Sequence, residues 1–392
     1  MSISDLTTPN ELAALADQYL VRRDIAFNHG SYGATPRPPS RNTKAYSASL
    51  ESQPVEFLGR RRVELLAEAR TALGDYVGTH GDNIAFVTNV TVGMNIIARS
   101  LKLNPGDEIL ATDHEYGAVI KTWDYYCERT GAKYIAQPIS MPVTTAEDFV
   151  EQFWAGVTER TKVIMLSHIT SGSALIFPLD EICRRARAAG IITAIDGAHA
   201  PSQIDLNLDA LGADYYTGNC HKWLSAPKGA GFLYSRPEMQ ELLEPIIISH
   251  GWKAPGGAPS AFVDHFGWSG TDDPSAFLSV PAAIDFQRQH NWSRVRAACH
   301  ELLSETRNRV AALTGLPPVA PDSTEWWSQM AILPLPATDM SILKERLWTE
   351  YGVEIPCHNF KGQSCVRLSV QAYNDREDMD RLVVGLKEIL GL

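Results

Sequence analysis

The strongest constraint on this chain is a regular alternation that begins near residue 84. Short apolar runs follow one another, separated by amphipathic stretches. IAFVTN, EILATD, KYIAQPI, TKVIMLSHI, IITAID, ADYYTG and GFLYS read as strands. VTVGMNIIARSL, YGAVIKTWDYYCERTG, AEDFVEQFWAGV and LDEICRRARAAG, between the first five, carry helical spacing; the second and fourth end at Gly131 and Gly190. Strands alternating with helices build a largely parallel sheet with helices on both faces. Ligands in such sheets bind beyond the carboxyl ends of the strands.

Past these strands the pattern changes. KAPGGAPSAFVDHFGWSGTDDPS, rich in Gly, Pro and aromatics, reads as a long functional loop. A helix-like stretch from about Val280 to Leu313 leads to the Pro-rich break LTGLPPVAPDS. A strand (MAILPLP), a helix (SILKERLWTEYG), a strand (SCVRLSVQAY) and an amphipathic helix from Arg376 complete the chain. The expected fold is α/β: an N-terminal segment and a large, mainly parallel-sheet domain over 1–280, then a small α+β domain over 281–392.

With 392 residues, 44% of them hydrophobic, the chain can bury two sizeable cores. A net charge of −11 argues against nucleic acid or an anionic membrane surface as a main partner, because both reward clustered Lys and Arg. The six cysteines are scattered, without zinc-like spacing, so no metal is indicated and a reducing cytoplasm is the expected setting. MSISDLTTPNELAALADQYLVRRD lacks the basic start and apolar core of a signal peptide, and no apolar run approaches the roughly 20 residues that span a bilayer.

The chemistry-bearing residues fall at the expected strand ends. Asp196 closes IITAID, His199 follows it, and Asn219, His221 and Lys222 close the next apolar run. A carboxylate and a later lysine in these positions suit pyridoxal 5′-phosphate: the lysine forms a Schiff base with the cofactor aldehyde, and the carboxylate keeps the pyridine nitrogen protonated. A helix cap and a solvated lysine are the plain alternatives. Val90 and Thr91 open a helix whose backbone N–H groups suit a phosphate, or merely an N-cap. His114 and Tyr116 follow EILAT, where an aromatic ring could stack on a pyridine or simply close a strand. Ser171, after TKVIML, offers a hydroxyl to a phenolic oxygen or forms a local turn. Gly270 and Thr271 suit either a phosphate or a turn. Arg367, in an otherwise apolar strand, suits either a carboxylate clamp or a salt bridge at a sheet edge.

Taken in order, these signals resemble the class V aminotransferase family, the cysteine desulfurase-like branch of PLP fold type I (aspartate aminotransferase-like). The resemblance covers nearly the whole chain, and DGAH, TGNCHKW and APKGAGFLY are its most specific strings. FNHGSYGATP and VRLSVQAYN are similar to the isopenicillin N epimerase-like subfamily. The resemblance implies Lys222 as the Schiff-base lysine, Asp196 at the pyridine nitrogen and His199 at the phenolic oxygen. It implies Val90, Thr91, Asn219 and His221 at the phosphate, with Gly270 and Thr271 reaching the phosphate of the other subunit of a homodimer with shared active sites. Arg367 is then the ligand of the substrate α-carboxylate, Asn28 and His29 line the entrance, and either His114 or Tyr116 stacks on the cofactor. Ser171 stands where desulfurases have an asparagine.

The implied activity is chemistry at the Cα of an amino acid, with epimerisation first. C–S lysis of cysteine or cystine, desulfuration and transamination are the alternatives, and a non-enzymatic scaffold is a further class. Desulfuration needs a mobile cysteine. Cys357 and Cys365 are the candidates, and Cys365, two residues before Arg367, reads as structural.

Overall fold

The computed structural model describes residues 14–26, 28–254 and 258–392, so most of the N-terminal segment examined for a signal peptide and Pro255–Gly257 of the Gly-rich loop lie outside the described residues. Seven strands form one sheet: β1 (Ile84–Val87), β2 (Glu108–Thr112), β3 (Lys133–Gln137), β4 (Thr161–Ser167), β5 (Ile192–Gly197), β6 (Tyr215–Asn219) and β7 (Gly231–Ser235). Their order is β1-β7-β6-β5-β4-β2-β3. Strands β3, β2, β4, β5 and β6 run parallel, and β7 is antiparallel to both β6 and β1. β2, β6 and β7 are buried at every position, whereas the edge strand β3 is partly exposed. Continuous apolar strands of this kind belong to sheets covered by helices on both faces.

The covering helices begin and end where short polar residues and glycines place them. α3 (Val90–Ser100) is capped by the Asn89 side chain, which accepts from Val92 N at 3.1 Å. α4 (Gly117–Thr130) stops at Gly131, whose φ of +75° ends the helix as expected. α5 (Ala146–Trp154) and α6 (Leu179–Ala188) follow β3 and β4. Upstream of the sheet lie α1 (Arg37–Ser52) and α2 (Arg62–Val77), which precede the alternation and carry no strand partner to announce them. α3 lies so close to the sheet that a Cβ on Gly93 would sit 2.1 Å from Thr217 Oγ1. Only glycine lets the first turn of α3 approach the end of β6 this tightly.

Two stretches differ from their sequence reading. The Gly-rich segment contains a helix, α7 (Ala261–Gly267), capped by Ser260 and burying Phe262 and Val263. Its apolar face is only two side chains wide, too short for a periodic signal. The helix-like stretch from Val280 is two helices, α8 (Val280–Gln289) and α9 (Trp292–Thr314), separated where Asn291 takes a left-handed φ of +47°.

Beyond α9, β8 (Met330–Pro334), β9 (Cys357–Phe360) and β10 (Gln363–Ser369) form a second, antiparallel sheet in the order β8-β10-β9. α10 (Met340–Tyr351) and α11 (Arg376–Leu390) pack together beside it. β9 and β10 are joined by the two-residue turn Lys361-Gly362, both at positive φ, the hairpin geometry that matches strand twist. The N-terminal segment reaches this unit: Ala26 bridges Val353, and the Tyr19 and Tyr373 rings meet edge-on at 4.9 Å. One apolar cluster runs from Leu15 through the large sheet to Leu386.

At the β5–β7 end of the large sheet a single carboxylate ties three strands. Asp214 accepts from Thr193 N and Oγ1 through one oxygen and from Arg236 through the other. Removing it strands a part-buried guanidinium and two donors. D214A is expected to destabilise the protein by about 3 kcal/mol, read by chemical denaturation, with no change in the sheet's far-UV circular dichroism below the transition.

Candidate active site

The carboxyl ends of β2, β4, β5 and β6 converge on one buried cleft, and β10 brings a fifth group to it. Lys222 follows β6 in a tight turn closed by Ser225 N donating to Lys222 O at 3.0 Å. The N-terminal segment presses on this turn. His29 Nε2 donates to Lys222 O at 3.0 Å, and Lys228 Nζ donates to Gly33 O at 2.8 Å. Gly33 sits at φ +71°, and a Cβ there would lie 2.1 Å from His221 O and 2.8 Å from Lys222 Cα. The glycine of FNHGSYG is therefore what lets the N-terminal segment close over the lysine.

Lys222 Nζ lies 3.0 Å from His199 Nε2, and the Trp223 indole N–H donates to His199 Nδ1 at 3.2 Å. Burial lowers the Lys222 pKa to about 8, against the opposing pull of the Asp196 carboxylate and with further lowering by Arg367. Asp196 is itself buried, accepts from Ala198 N at 2.9 Å, and has its pKa raised by burial. His199 is pushed well below the usual imidazole range, mainly by burial and then by Lys222, so it is neutral.

Arg367, on β10, enters the cleft from the second sheet. Its Nη1 donates to Ser171 O and Oγ at 2.8 and 3.0 Å, and Nη2 reaches Ser31 Oγ at 3.4 Å, while Nε has no partner. Burial lowers its pKa to about 10. A buried guanidinium held by neutral oxygens, with a donor to spare, is arranged to receive an anion from outside. Ser171, expected at a phenolic oxygen, accepts from this guanidinium through both its carbonyl and its hydroxyl oxygen, which leaves its O–H free to donate. Asn28 donates to Ser31 Oγ at 2.6 Å and so supports Arg367 indirectly. His29 does not line an entrance: it is fully buried between Trp223 and Tyr373, and burial lowers its pKa to about 3.

The two aromatic candidates separate cleanly. His114 is 1% exposed, bonded through Nδ1 to Ser173 Oγ at 2.8 Å and flanked edge-on by Phe177 and Phe360. Tyr116 is 47% exposed, at the start of α4 and within electrostatic reach of Arg367. Between them Glu115, missed at the level of sequence, is buried and accepts from Ser167 N and Oγ and from Thr112 Oγ1. It fastens the 113–116 turn to the end of β4. Its only sequence signal is a carboxylate amid residues already singled out.

At the first turn of α3, Val90 N donates to Asn219 Oδ1 at 3.0 Å, so this N–H and this side chain serve each other, and Thr91 remains exposed at the helix start. His221 Nδ1 donates to Ala230 O at 3.0 Å. Gly270 has open space around it, and Thr271 is exposed. Arg62 holds their loop from below, paired with Asp272 and donating to Gly267 O at 3.3 Å. Cys357 lies on β9 rather than on a free loop, with its thiol pushed up to about 12 by burial. Cys365 is buried on β10.

The sequence profile described as aminotransferase class-V matches residues 35–382. The chain belongs to the class V aminotransferase family. The isopenicillin N epimerase of Amycolatopsis lactamdurans is 35% identical over 377 residues, covering 93% of this chain and 94% of that protein. The apo cysteine desulfurase of Thermococcus onnurineus NA1 superposes with a TM-score of 0.82 at 18% identity, covering 98% of each chain. A complex of the cystine C–S lyase C-DES with cysteine persulfide superposes with a TM-score of 0.79 at 22% identity, covering 92% of this chain and 96% of that one.

This member of the class V aminotransferase family is a pyridoxal phosphate-dependent enzyme of fold type I. Its own residues fit the cofactor: a half-buried amine that interacts with a buried carboxylate, a neutral imidazole between amine and indole, and an exposed threonine at the start of α3. The aldehyde reacts with the neutral amine. Lys222 is neutral above its pKa and an ammonium below it, so cofactor uptake is expected to accelerate with pH through a midpoint near 8, and K222A should abolish both the midpoint and the visible absorption band.

Proposed function

We propose that this enzyme epimerises the α-carbon of an amino acid whose carboxylate is bound by Arg367. Two groups near the guanidinium support the reading: Lys222, which Arg367 lowers, and the exposed Tyr116, which also acts on Arg367. When bound, pyridoxal phosphate supplies an electron sink for the pair left at Cα when its proton departs. Asp196 would hold the proton of the ring nitrogen, and His199 would serve the phenolic oxygen. Lys222, as a neutral amine, takes the α-proton from one side, and the Tyr116 hydroxyl returns one from the other. Tyr116 is favoured over His114 as the group that would face the cofactor, because the His114 ring packs against Phe177, Phe360 and Ser173.

Desulfuration is disfavoured by the chemistry of Cys357. Sulfur transfer needs an accessible thiolate. The Cys357 thiol is held on a paired strand, and the hairpin that follows is fastened by Lys361, whose Nζ donates to Ile139 O at 2.6 Å and pairs with Asp113 at 2.6 Å. C357A is expected to leave turnover unchanged. Incubation with L-amino acids in D₂O, including L-cysteine, L-cystine and a δ-linked peptide, tests the main reading. Deuterated D-product without pyruvate supports epimerisation. Pyruvate with sulfide or persulfide makes the enzyme a C–S lyase instead, and a keto acid with an aminated cofactor makes it a transaminase. In Y116F, D-product formation should fall by about 10²-fold or more while exchange of the L-substrate α-proton persists.

The quaternary reading is a homodimer in which Gly270 and Thr271 reach the neighbouring site, in the cytoplasm. Ile247, Ile248 and Trp252 are exposed close to that loop in sequence and supply an apolar surface for a second copy. Among the described residues no helix is long and apolar enough to cross a membrane. K222A and T271A proteins, each impaired alone, should recover activity when dissociated and mixed, because one site of the mixed dimer then carries both defects and the other none. Absence of recovery, with mixed dimers formed, would separate Thr271 from the neighbouring site.

A further inference from the structure

Trp223 follows Lys222 directly and is completely buried. Its backbone carbonyl accepts from Gln287 Nε2 at 2.9 Å, and its ring rests against His29 at 4.9 Å. The indole N–H is therefore fixed in direction, and it points at His199 Nδ1. The His199 backbone is also held, its carbonyl accepting from Gln203 Nε2 at 2.9 Å.

We propose that Trp223 is a positioning residue that locks His199 in the Nε2–H tautomer and thereby favours the neutral, reactive form of the Lys222 amine. An indole nitrogen can only donate, so His199 Nδ1 must accept. A neutral imidazole carries one N–H, which is then on Nε2. Lys222 Nζ stands 3.0 Å from that N–H and can only accept from it. An ammonium has no lone pair, and an amine has one. The indole thus biases the protonation state of a lysine it does not touch through its N–H, by way of the imidazole between them. With the cofactor bound, the same Nε2–H would be a donor for its phenolic oxygen, so one lock would serve both states.

Other charged and titratable groups act on Lys222 as well. Asp196 on β5 favours the ammonium and Arg367 on β10 opposes it. His29 from the N-terminal segment and His221 beside Lys222 interact with it and are themselves lowered by burial. Of these, only His29 touches the indole ring, and a phenyl ring at 223 keeps an aromatic neighbour there. Without the Trp223 N–H, His199 is free to carry its proton on Nδ1 and turn an acceptor toward Lys222, which favours the ammonium.

The inference rests on Lys222 as the lysine that takes up the cofactor, and its test separates the two ideas. Nitrogen-15 NMR of histidine-labelled full-length protein, before and after loading with pyridoxal 5′-phosphate, reads the tautomer directly, with His199 assigned by its loss in H199Q. The expected result is an unprotonated Nδ1 and a protonated Nε2 in both states. An Nδ1–H tautomer or an imidazolium in the wild-type protein overturns the proposal, whether or not any variant folds. In W223F the pH midpoint for uptake of pyridoxal phosphate, followed by absorbance, should move up by about one unit, so that uptake at pH 7 slows about tenfold. Lost packing alone weakens binding at every pH and leaves the midpoint in place; an unmoved midpoint in folded W223F overturns the lock. A borohydride-reducible Schiff base that still forms between protein and cofactor in K222A overturns the cofactor reading instead, and leaves the tautomer result standing.

Discussion

Two basic groups, Arg367 and Lys222, share one site, and the charge of the first makes a charge on the second more costly. Arg367 and Lys222 both have their pKa lowered by loss of water, and Arg367 lowers Lys222 further. Asp196 is the carboxylate that acts on Lys222, while Arg367 is held only by the neutral oxygens of Ser171 and Ser31. A cleft of this kind gains free energy when an anion enters, because the incoming charge replaces the missing counter-ion. The rest of the site follows from this imbalance. The amine is pushed toward its neutral form, and the guanidinium keeps an unfilled donor.

Holding such a site open demands rigid support, which comes from three directions. The parallel strands aim their carboxyl ends at the cleft, the β9–β10 hairpin is fastened to Asp113 and Ile139, and the N-terminal segment is bonded to the Lys222 carbonyl through His29. The hairpin also bears on the choice of reaction. A cysteine in a paired strand, with its thiol pushed up by burial, is a packing residue rather than a sulfur acceptor.

Most of the large sheet was legible, because buried parallel strands are continuous apolar runs and each helix between them ends at a cap or a glycine. Lys222, Asp196 and Arg367 were legible for a related reason: a charged residue at the end of an apolar run is conspicuous. What escaped were elements without a periodic signal. α1 and α2 precede the alternation, α7 buries only Phe262 and Val263, and β9 is a short edge strand whose pairing depends on β10. Among site residues, His29 was assigned an entrance position because FNHGSYG reads as a polar loop. Its burial depends on Tyr373 and Trp223, more than 190 residues away, closing around it.

By itself the sequence determined the strand–helix alternation, the positions of the chemical groups at strand ends and the glycines that cap the helices, since periodicity and local backbone preference are properties of neighbouring residues. Only the tertiary structure decided what each group faces. It enclosed His114 and left Tyr116 exposed, set Ser171 against Arg367, and placed an indole N–H behind His199. Those outcomes depend on which side chains meet across the fold and on how much water remains between them, and neither is written in the spacing of residues along the chain.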